Sequence, residues 1–265
     1  MNLILLIPGN PSVPGIYDPF LDQVVSDLKL DGETIHRVLP HLGQCNQVAV
    51  KYKKITVRDV IEDHRQTIRN LISTHSPDKI ILIGHSLGSS VTISLYEEFS
   101  SVVDKFFILC PFLGPSENNK RYLKLFRNPI SRMGMKGITY ACLKNDKVSH
   151  LFFERWLGRT PFTQHIPREI SKPFYIKNFF SLVSTYMEEF QELDLTTKVK
   201  AMDKTKSFFV FAPNDYWVPE EAIQALPEQM PFKKCVGISH DFCLRESQYK
   251  EVSFAVAKHY TSIIK

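Results

Sequence analysis

The chain has 265 residues, of which 43% are hydrophobic, 12% aromatic and 23% charged. That length buries one large core or two small ones, and the apolar fraction excludes a disordered chain; 11 Gly and 16 Pro exclude collagen-like and low-complexity classes. A formal charge of +5 is too mild for the dense basic footprint of a nucleic-acid binder.

In chain order, the apolar run 3–7 (LILLI), ended by Pro8-Gly9-Asn10-Pro11, predicts a fully buried strand. Over 18–28, Phe20, Leu21, Val24, Val25 and Leu28 recur at helical spacing. Residues 34–39 predict a second strand, closed by Pro40, and 57–72 a helix carrying Val57, Val60, Ile61, Ile68, Leu71 and Ile72. A buried strand at 79–83, a helix at 87–99 and a fourth strand at 104–112 follow. Strand alternating with helix implies a mostly parallel central sheet with helices on both faces. The rhythm breaks over 113–204, where only short helical patterns show, and resumes with a strand at 207–213, a helix near 219–226, a last strand at 233–238 and a last helix at 246–264. The expected layout is an α/β core, 1–112 and 205–265, interrupted by one lid-like insertion, 113–204.

Cys45, Cys110, Cys142, Cys235 and Cys243 are scattered without a C-x-x-C pair, which reads as reduced thiols and not as a disulfide framework or zinc site. The apolar start lacks a basic n-region and reaches Pro8-Gly9 too soon for a signal peptide. No run approaches the roughly 18–20 apolar residues of a membrane span. A cytoplasmic protein is expected, soluble or held at a membrane surface.

Gly84-His85-Ser86-Leu87-Gly88 is G-x-S-x-G, set between a buried strand and an amphipathic helix. That strand–turn–helix setting is what a nucleophile elbow requires. The flanking glycines let strand and helix approach, and the helix N-terminus aims free N–H groups at the reacting centre. The bland alternative is an ordinary βα turn with Ser86 as N-cap. A serine nucleophile needs a base, and the base an orienting acid, in the chain order Ser, acid, His. His240, in the loop after the last strand, is the expected base, with His41 as its rival near the site mouth. His36, His64, His75, His85, His150, His165 and His259 read as surface or core-satisfied residues, His85 pointing away from the nucleophile's side. Asp215, on the turn after strand 207–213, is the expected acid, with Asp241 and Glu117 as rivals. Two backbone N–H groups must hold the developing oxyanion. Leu87 supplies one; Pro8 and Pro11 have none, so Gly9 and Asn10 are the local donors for the other, with Asn10 favoured and its side chain a further donor.

Together these residues resemble the α/β-hydrolase superfamily, and within it the lipid droplet-associated hydrolase family. LIPGNPSVPGIYDPF (6–20) is similar to that family's I-P-G-N-P-G…F-Y…F opening, HLGQ (41–44) to its H-x-G-H segment and KIILIGHSLGS (79–89) to its elbow. ILCPFLGPSENNK (108–120) resembles its L-F-P…S-P-N-G stretch, and PNDYWVP (213–219) and SHDF (239–242) stand where the family carries its acid and histidine. The resemblance implies Ser86 as nucleophile, Asp215 as acid and His240 as base. It implies a serine hydrolase acting at lipid droplets or the endoplasmic reticulum, with a sterol-ester substrate. The sequence departs from the pattern in three places: Ser12 replaces the second Gly of the opening, Gln44 the second His of H-x-G-H, and the insertion lacks the long apolar segment of animal members.

The charge is uneven. Residues 113–204 carry 16 Lys+Arg against 9 Asp+Glu, and 120–147 carry eight basic residues opposed only by Asp146. Tyr122, Leu123, Phe126 and Ile130 interleave with Lys120, Arg121, Lys124 and Arg127, a pattern that suits either an anionic lipid surface or a solvated helix packed over the pocket. The expected function is hydrolysis of a lipid-like carboxylic ester, sterol or acyl. The alternatives are an acyl-thioesterase and a lipid-surface binding protein with a vestigial triad. No phosphate loop or metal-ligand cluster points to a cofactor.

Overall fold

The computed structural model of the chain describes residues 1–44, 54–114, 119, 124, 128–145, 147–149, 151, 154 and 173–264. Among them, six strands form one parallel sheet in the order β2-β1-β3-β4-β5-β6: β1 (Asn2–Ile7), β2 (Thr34–Val38), β3 (Lys79–His85), β4 (Lys105–Leu109), β5 (Ser207–Phe211) and β6 (Phe232–Lys234). β1 and β3 run in register from Asn2 opposite Lys79 to Ile7 opposite Gly84. β1 and β5 are buried throughout, and β3 and β4 in all but their first residue. Burial on both faces is why these strands read as unbroken apolar runs. The edge strands β2 and β6 are part exposed.

The helices are α1 (Pro14–Leu28), α2 (Val57–His75), α3 (Leu87–Phe99), α4 (Pro129–Lys144), α5 (Pro173–Glu189), α6 (Leu195–Ala201), α7 (Glu220–Gln224) and α8 (Glu246–Ile264). The chain steps from β1 outward to β2, then back across β1 to β3 and on to β4. Right-handed crossovers in opposite directions must place α1 on one face and α2 and α3 on the other. In keeping with this, α1 packs against α8, and α3 against α2 and α6. The reversal of direction lies between β1 and β3, and a crevice outside the carboxyl ends of those two strands is where an open α/β sheet takes its ligand.

Several boundaries differ from the sequence expectation. α1 starts at Pro14 and not at residue 18, because the proline ring presets the backbone for a first helical turn. β4 stops at Leu109, short of residue 112, where Cys110 turns to φ 42°. β6 covers only 232–234 and not 233–238, since the chain turns at Gly237 with φ 89° and leaves Val236 exposed. The insertion carries helices of 16 and 17 residues where only short patterns were legible. On α5 the inward side mixes Tyr175, Ile176, Phe180 and Leu182 with buried Asn178, Ser184 and Thr185, which blurs the apolar period.

Those polar groups tie α5 to the segment after β2. Asn178 Nδ2 donates to the Gly43 carbonyl at 2.9 Å, Ser181 Oγ accepts from Ile55 N–H at 3.0 Å, and Thr185 Oγ1 donates to the Ile55 carbonyl at 3.1 Å. Glu189 accepts the free N–H groups of Val57 and Arg58 at the start of α2, at 3.1 and 3.2 Å, adding a carboxylate at the positive end of that helix. Glu189→Ala should therefore lower the unfolding free energy by about 1 kcal/mol in urea titration.

Candidate active site

β3 ends at His85, α3 begins at Leu87, and Ser86 joins them with φ 53° and ψ −116°. A non-glycine residue at positive φ is strained and persists only where its surroundings fix it. The fixing is steric and hydrogen-bonded. Ser86 N–H donates to the Leu109 carbonyl at 3.0 Å. A methyl group at Gly84 would meet Thr92 Oγ1 at 2.5 Å, and one at Gly88 would press on the carbonyls of Ile7 and Pro8. Only glycine lets α3 start this close to the ends of β1 and β3.

The expected triad residues meet. His240 Nε2 lies 2.8 Å from Ser86 Oγ, and His240 Nδ1 lies 2.7 Å from Asp215 Oδ2. A carboxylate can only accept, so Nδ1 points its hydrogen at Asp215 and Nε2 is the nitrogen that faces the serine hydroxyl. The Asp215 side chain is fully withdrawn from solvent while that of His240 is 19% exposed. Asp215 Oδ1 is held by the Trp217 N–H at 2.8 Å, a second anchor that fixes the carboxylate plane.

The rivals lie elsewhere. Asp241 bonds Ser239 Oγ at 2.6 Å and faces Arg245. His41 is buried, its Nδ1 3.0 Å from His64 Nε2. Glu117 lies outside the described residues, as do His150 and His165 and, in the basic stretch, Lys120, Arg121, Tyr122, Leu123, Phe126 and Arg127.

In the loop after β1, the Gly9 N–H is occupied, donating to the Tyr17 hydroxyl at 2.9 Å. Among the described residues nothing takes the N–H of Asn10 or of Leu87. The Asn10 side chain is anchored inside its own loop, its Oδ1 accepting from Gln44 Nε2 at 2.9 Å. Gln44 Oε1 in turn accepts the Ser12 N–H at 2.9 Å, and Ser12 Oγ accepts the His41 N–H at 2.6 Å. Ser12 and Gln44, two of the three departures noted above, are thus partners in one buried hydrogen-bonded set.

Three features escaped the sequence reading. Tyr17 and His85 join the loop after β1 to the His240 loop. An aromatic wall adjoins His240: Trp217 lies 6.4 Å from the His240 ring, Phe112 6.4 Å from Trp217, and Phe190 5.2 Å from Phe112, between ring centres. Third, His85, Cys110 and His240 each bring a nitrogen or sulfur within 4.8 Å of one another. They make a poor metal site, because the ring nitrogens already hold Tyr17, Asp215, Ser86 and a carbonyl, and burial pushes the Cys110 thiol well up, keeping it protonated.

The sequence pattern of the lipid-droplet associated hydrolase family matches residues 1–243. The chain belongs to that family. Proteins named lipid droplet-associated hydrolase are 25% identical to it in Mus musculus, over 93% of this chain and 81% of the relative, and 27% identical in Homo sapiens, over 86% and 74%. Solved structures share its fold at low identity. The haloalkane dehalogenase DatA of Agrobacterium tumefaciens C58 aligns with TM-score 0.67 at 12% identity over 99% of this chain and 90% of that one. The epoxide hydrolase CorEH aligns with TM-score 0.66 at 17% over 100% and 93%, and a thermophilic esterase of Thermogutta terrifontis with 0.62 at 14% over 100% and 91%. The lipid-droplet associated hydrolase family thus has here an α/β-hydrolase fold, and the chain is a hydrolase of that type.

The close approach at Gly88 and the burial of His64 and His85 each have a measurable consequence. Gly88→Ala should cost about 3 kcal/mol in urea unfolding, since the obstructing atoms are backbone, whereas Gly15→Ala, with open space around it, should change stability by less than about 1 kcal/mol. Burial holds His64 at about 3 and, with the nearby His240, His85 at about 3, against 6.5 for a free imidazole. Between those values the unfolded chain binds protons that the folded chain refuses, so stability falls as pH drops, by up to about 1.4 kcal/mol per pH unit for each histidine. Urea midpoints measured from neutral pH downward should show that slope, and it should be shallower in His64→Phe.

Proposed function

We propose that this chain is a serine hydrolase of carboxylic esters. Ser86 Oγ attacks the acyl carbonyl as His240 Nε2 takes its proton, and His240 then returns that proton to the leaving alkoxide. Asp215 holds the imidazole in the tautomer that leaves Nε2 free and stabilises the imidazolium that forms. The N–H groups of Leu87 and Asn10 receive the negative charge on the former carbonyl oxygen, aided by the α3 N-terminus. Water repeats the sequence on the acyl-enzyme. The observation that carries this reading is the unbroken Asp215–His240–Ser86 hydrogen-bonded line, ending on a strained, partly accessible serine.

A lipid-like acyl or sterol ester suits the site, because the half-buried Trp217 beside the base is backed by the buried rings of Phe112 and Phe190, an apolar surrounding. The names of the relatives point the same way. A fluorophosphonate probe should label the wild type and leave Ser86→Ala unlabelled; equal labelling would remove Ser86 from the mechanism. Asp215→Asn should lower kcat on a p-nitrophenyl acyl ester by about 10³–10⁴-fold. An acyl-thioester run beside its oxygen ester assigns the leaving group, the oxygen ester being the faster.

Residues 113–204 are read as a lid that also meets a lipid surface. α4 turns Ile130, Met133 and Ile138 outward at 77%, 71% and 68% exposure. Residues 128–145 contain Arg132, Lys136 and Lys144 and no acid. Apolar side chains beside cations on one helix match an anionic lipid monolayer. Among the described residues no helix is long and apolar enough to cross a membrane. The same face favours a second reading, a droplet-binding protein whose hydrolysis is secondary. Replacing Ile130, Met133 and Ile138 together by serine should release the protein from phosphatidylserine-containing vesicles or droplets while leaving turnover of a soluble ester intact. Unchanged vesicle binding would exclude α4 as the contact.

A further inference from the structure

His85, one residue before the serine, is 3% exposed, and both its ring nitrogens are engaged. Nε2 is 2.8 Å from the backbone carbonyl oxygen of His240, and Nδ1 is 2.8 Å from the Tyr17 hydroxyl. The proton positions follow from elementary rules. A carbonyl only accepts, so the hydrogen sits on Nε2. Burial keeps the ring neutral, so Nδ1 is a bare lone pair and Tyr17 must donate to it. The Tyr17 oxygen then has its lone pairs for the Gly9 N–H, 2.9 Å away. Four groups stand in one line with one direction: Gly9 N–H to Tyr17 O, Tyr17 O–H to His85 Nδ1, His85 Nε2–H to the His240 carbonyl.

The two ends of that line lie in the two loops that the proposed chemistry uses. Gly9 precedes Asn10, whose N–H is the oxyanion donor from the β1 loop. The His240 carbonyl belongs to the residue whose imidazole meets Ser86. Both are referenced to the elbow, where a Cβ on Gly9 would touch His85 Nδ1, Ser86 Cβ and the Tyr17 hydroxyl, each at 3.1 Å. Phe242 packs edge-on against His85 at 5.0 Å between ring centres, so the imidazole has no room to turn.

We infer that Tyr17 and His85 are positioning residues which hold the oxyanion loop and the His240 loop in mutual register about Ser86. The inference rests on the serine-hydrolase reading for its catalytic consequence and on the hydrogen bonds alone for its mechanical one. Neither residue touches the reacting atoms. A misplacement of about 1 Å at either loop is enough to slow an acyl transfer by about 100-fold without loosening the binding of a small ester.

The test is Tyr17→Phe, which keeps the ring and removes only the hydroxyl. On p-nitrophenyl butyrate, kcat per fluorophosphonate-titrated site should fall about 10–100-fold with KM within about twofold. Hydrogen–deuterium exchange should rise at 8–13, held by the Tyr17 hydroxyl through Gly9, and also at 239–244, which Tyr17 meets through His85 and at the Cys243 thiol; in His85→Phe, which leaves the Tyr17–Cys243 contact in place, it should still rise in both. His85→Phe should reproduce both effects, and His85→Gln, whose amide can still donate to the His240 carbonyl, should recover much of the activity. Should Tyr17→Phe fail to fold, the His85→Phe and His85→Gln pair carries the same comparison. Wild-type kcat per site, or faster exchange confined to 8–13, overturns the inference. If exchange rises in both loops while the wild type itself is neither labelled nor active, the mechanical link is upheld and the role of Ser86 falls instead.

Discussion

At Gly88 the first turn of α3 lies directly on the carbonyls of Ile7 and Pro8, with no space for a methyl group. That contact is possible only at the place where the chain reverses direction across the sheet, because there β1 and β3 are neighbours and their carboxyl ends open together. The consequences cascade. Pressing the helix start against both strands forces Ser86 to φ 53°, which lifts its side chain out of the turn. It also sets the loop after β1 beside the elbow, so close that a Cβ on Gly9 would lie 3.1 Å from Ser86 Cβ. The strain at Ser86 persists because the surrounding sheet, buried on both faces, resists any relaxation that would relieve it.

Around that contact the loops are held by directional polar bonds and not by apolar packing alone. On one side, Gln44 and Ser12 fasten the Asn10 turn. On the other, Tyr17 and His85 fasten Gly9 to the His240 carbonyl. Buried polar groups that are fully paired specify one geometry, because any displaced arrangement leaves a donor or acceptor unmet in a low-dielectric interior. Both departures from the family pattern make bonds in this loop: the Gln44 amide holds the Ser12 backbone N–H and the Asn10 side chain, and the Ser12 hydroxyl accepts the His41 N–H. The insertion joins the same scheme from outside, with α5 tied by side-chain bonds to Gly43 and Ile55 beside the Gln44 turn.

The core strands and the two terminal positions of the elbow were legible from periodicity and from glycine spacing. Ser86, Asp215 and His240 followed from chain order, and the structure brings them within hydrogen-bonding distance. His85 is core-satisfied, one of the two readings its sequence setting allowed, but its partners were not legible: a lone histidine in an apolar strand end has no local signature of what its two nitrogens will meet 68 and 155 residues away. The same limit applies to α5, whose inward polar residues are satisfied by a distant loop and so look, in sequence, like breaks in an apolar stripe.

The sequence by itself determined the fold class, the parallel alternation and the place of the strand–turn–helix elbow at Gly84–Gly88, because these depend on local quantities: runs of apolar residues, helical spacing, and glycines that only a tight strand–helix turn requires. Only the tertiary structure decided the distances at which the expected Asp215 and His240 meet Ser86, that the Gly9 N–H is taken while nothing among the described residues takes those of Asn10 and Leu87, and that Tyr17 and His85 link the Gly9 and His240 loops. Hydrogen-bond partnership is a matter of distance in space within about 3 Å, and no spacing along the chain encodes it once the partners lie on different strands of the sheet.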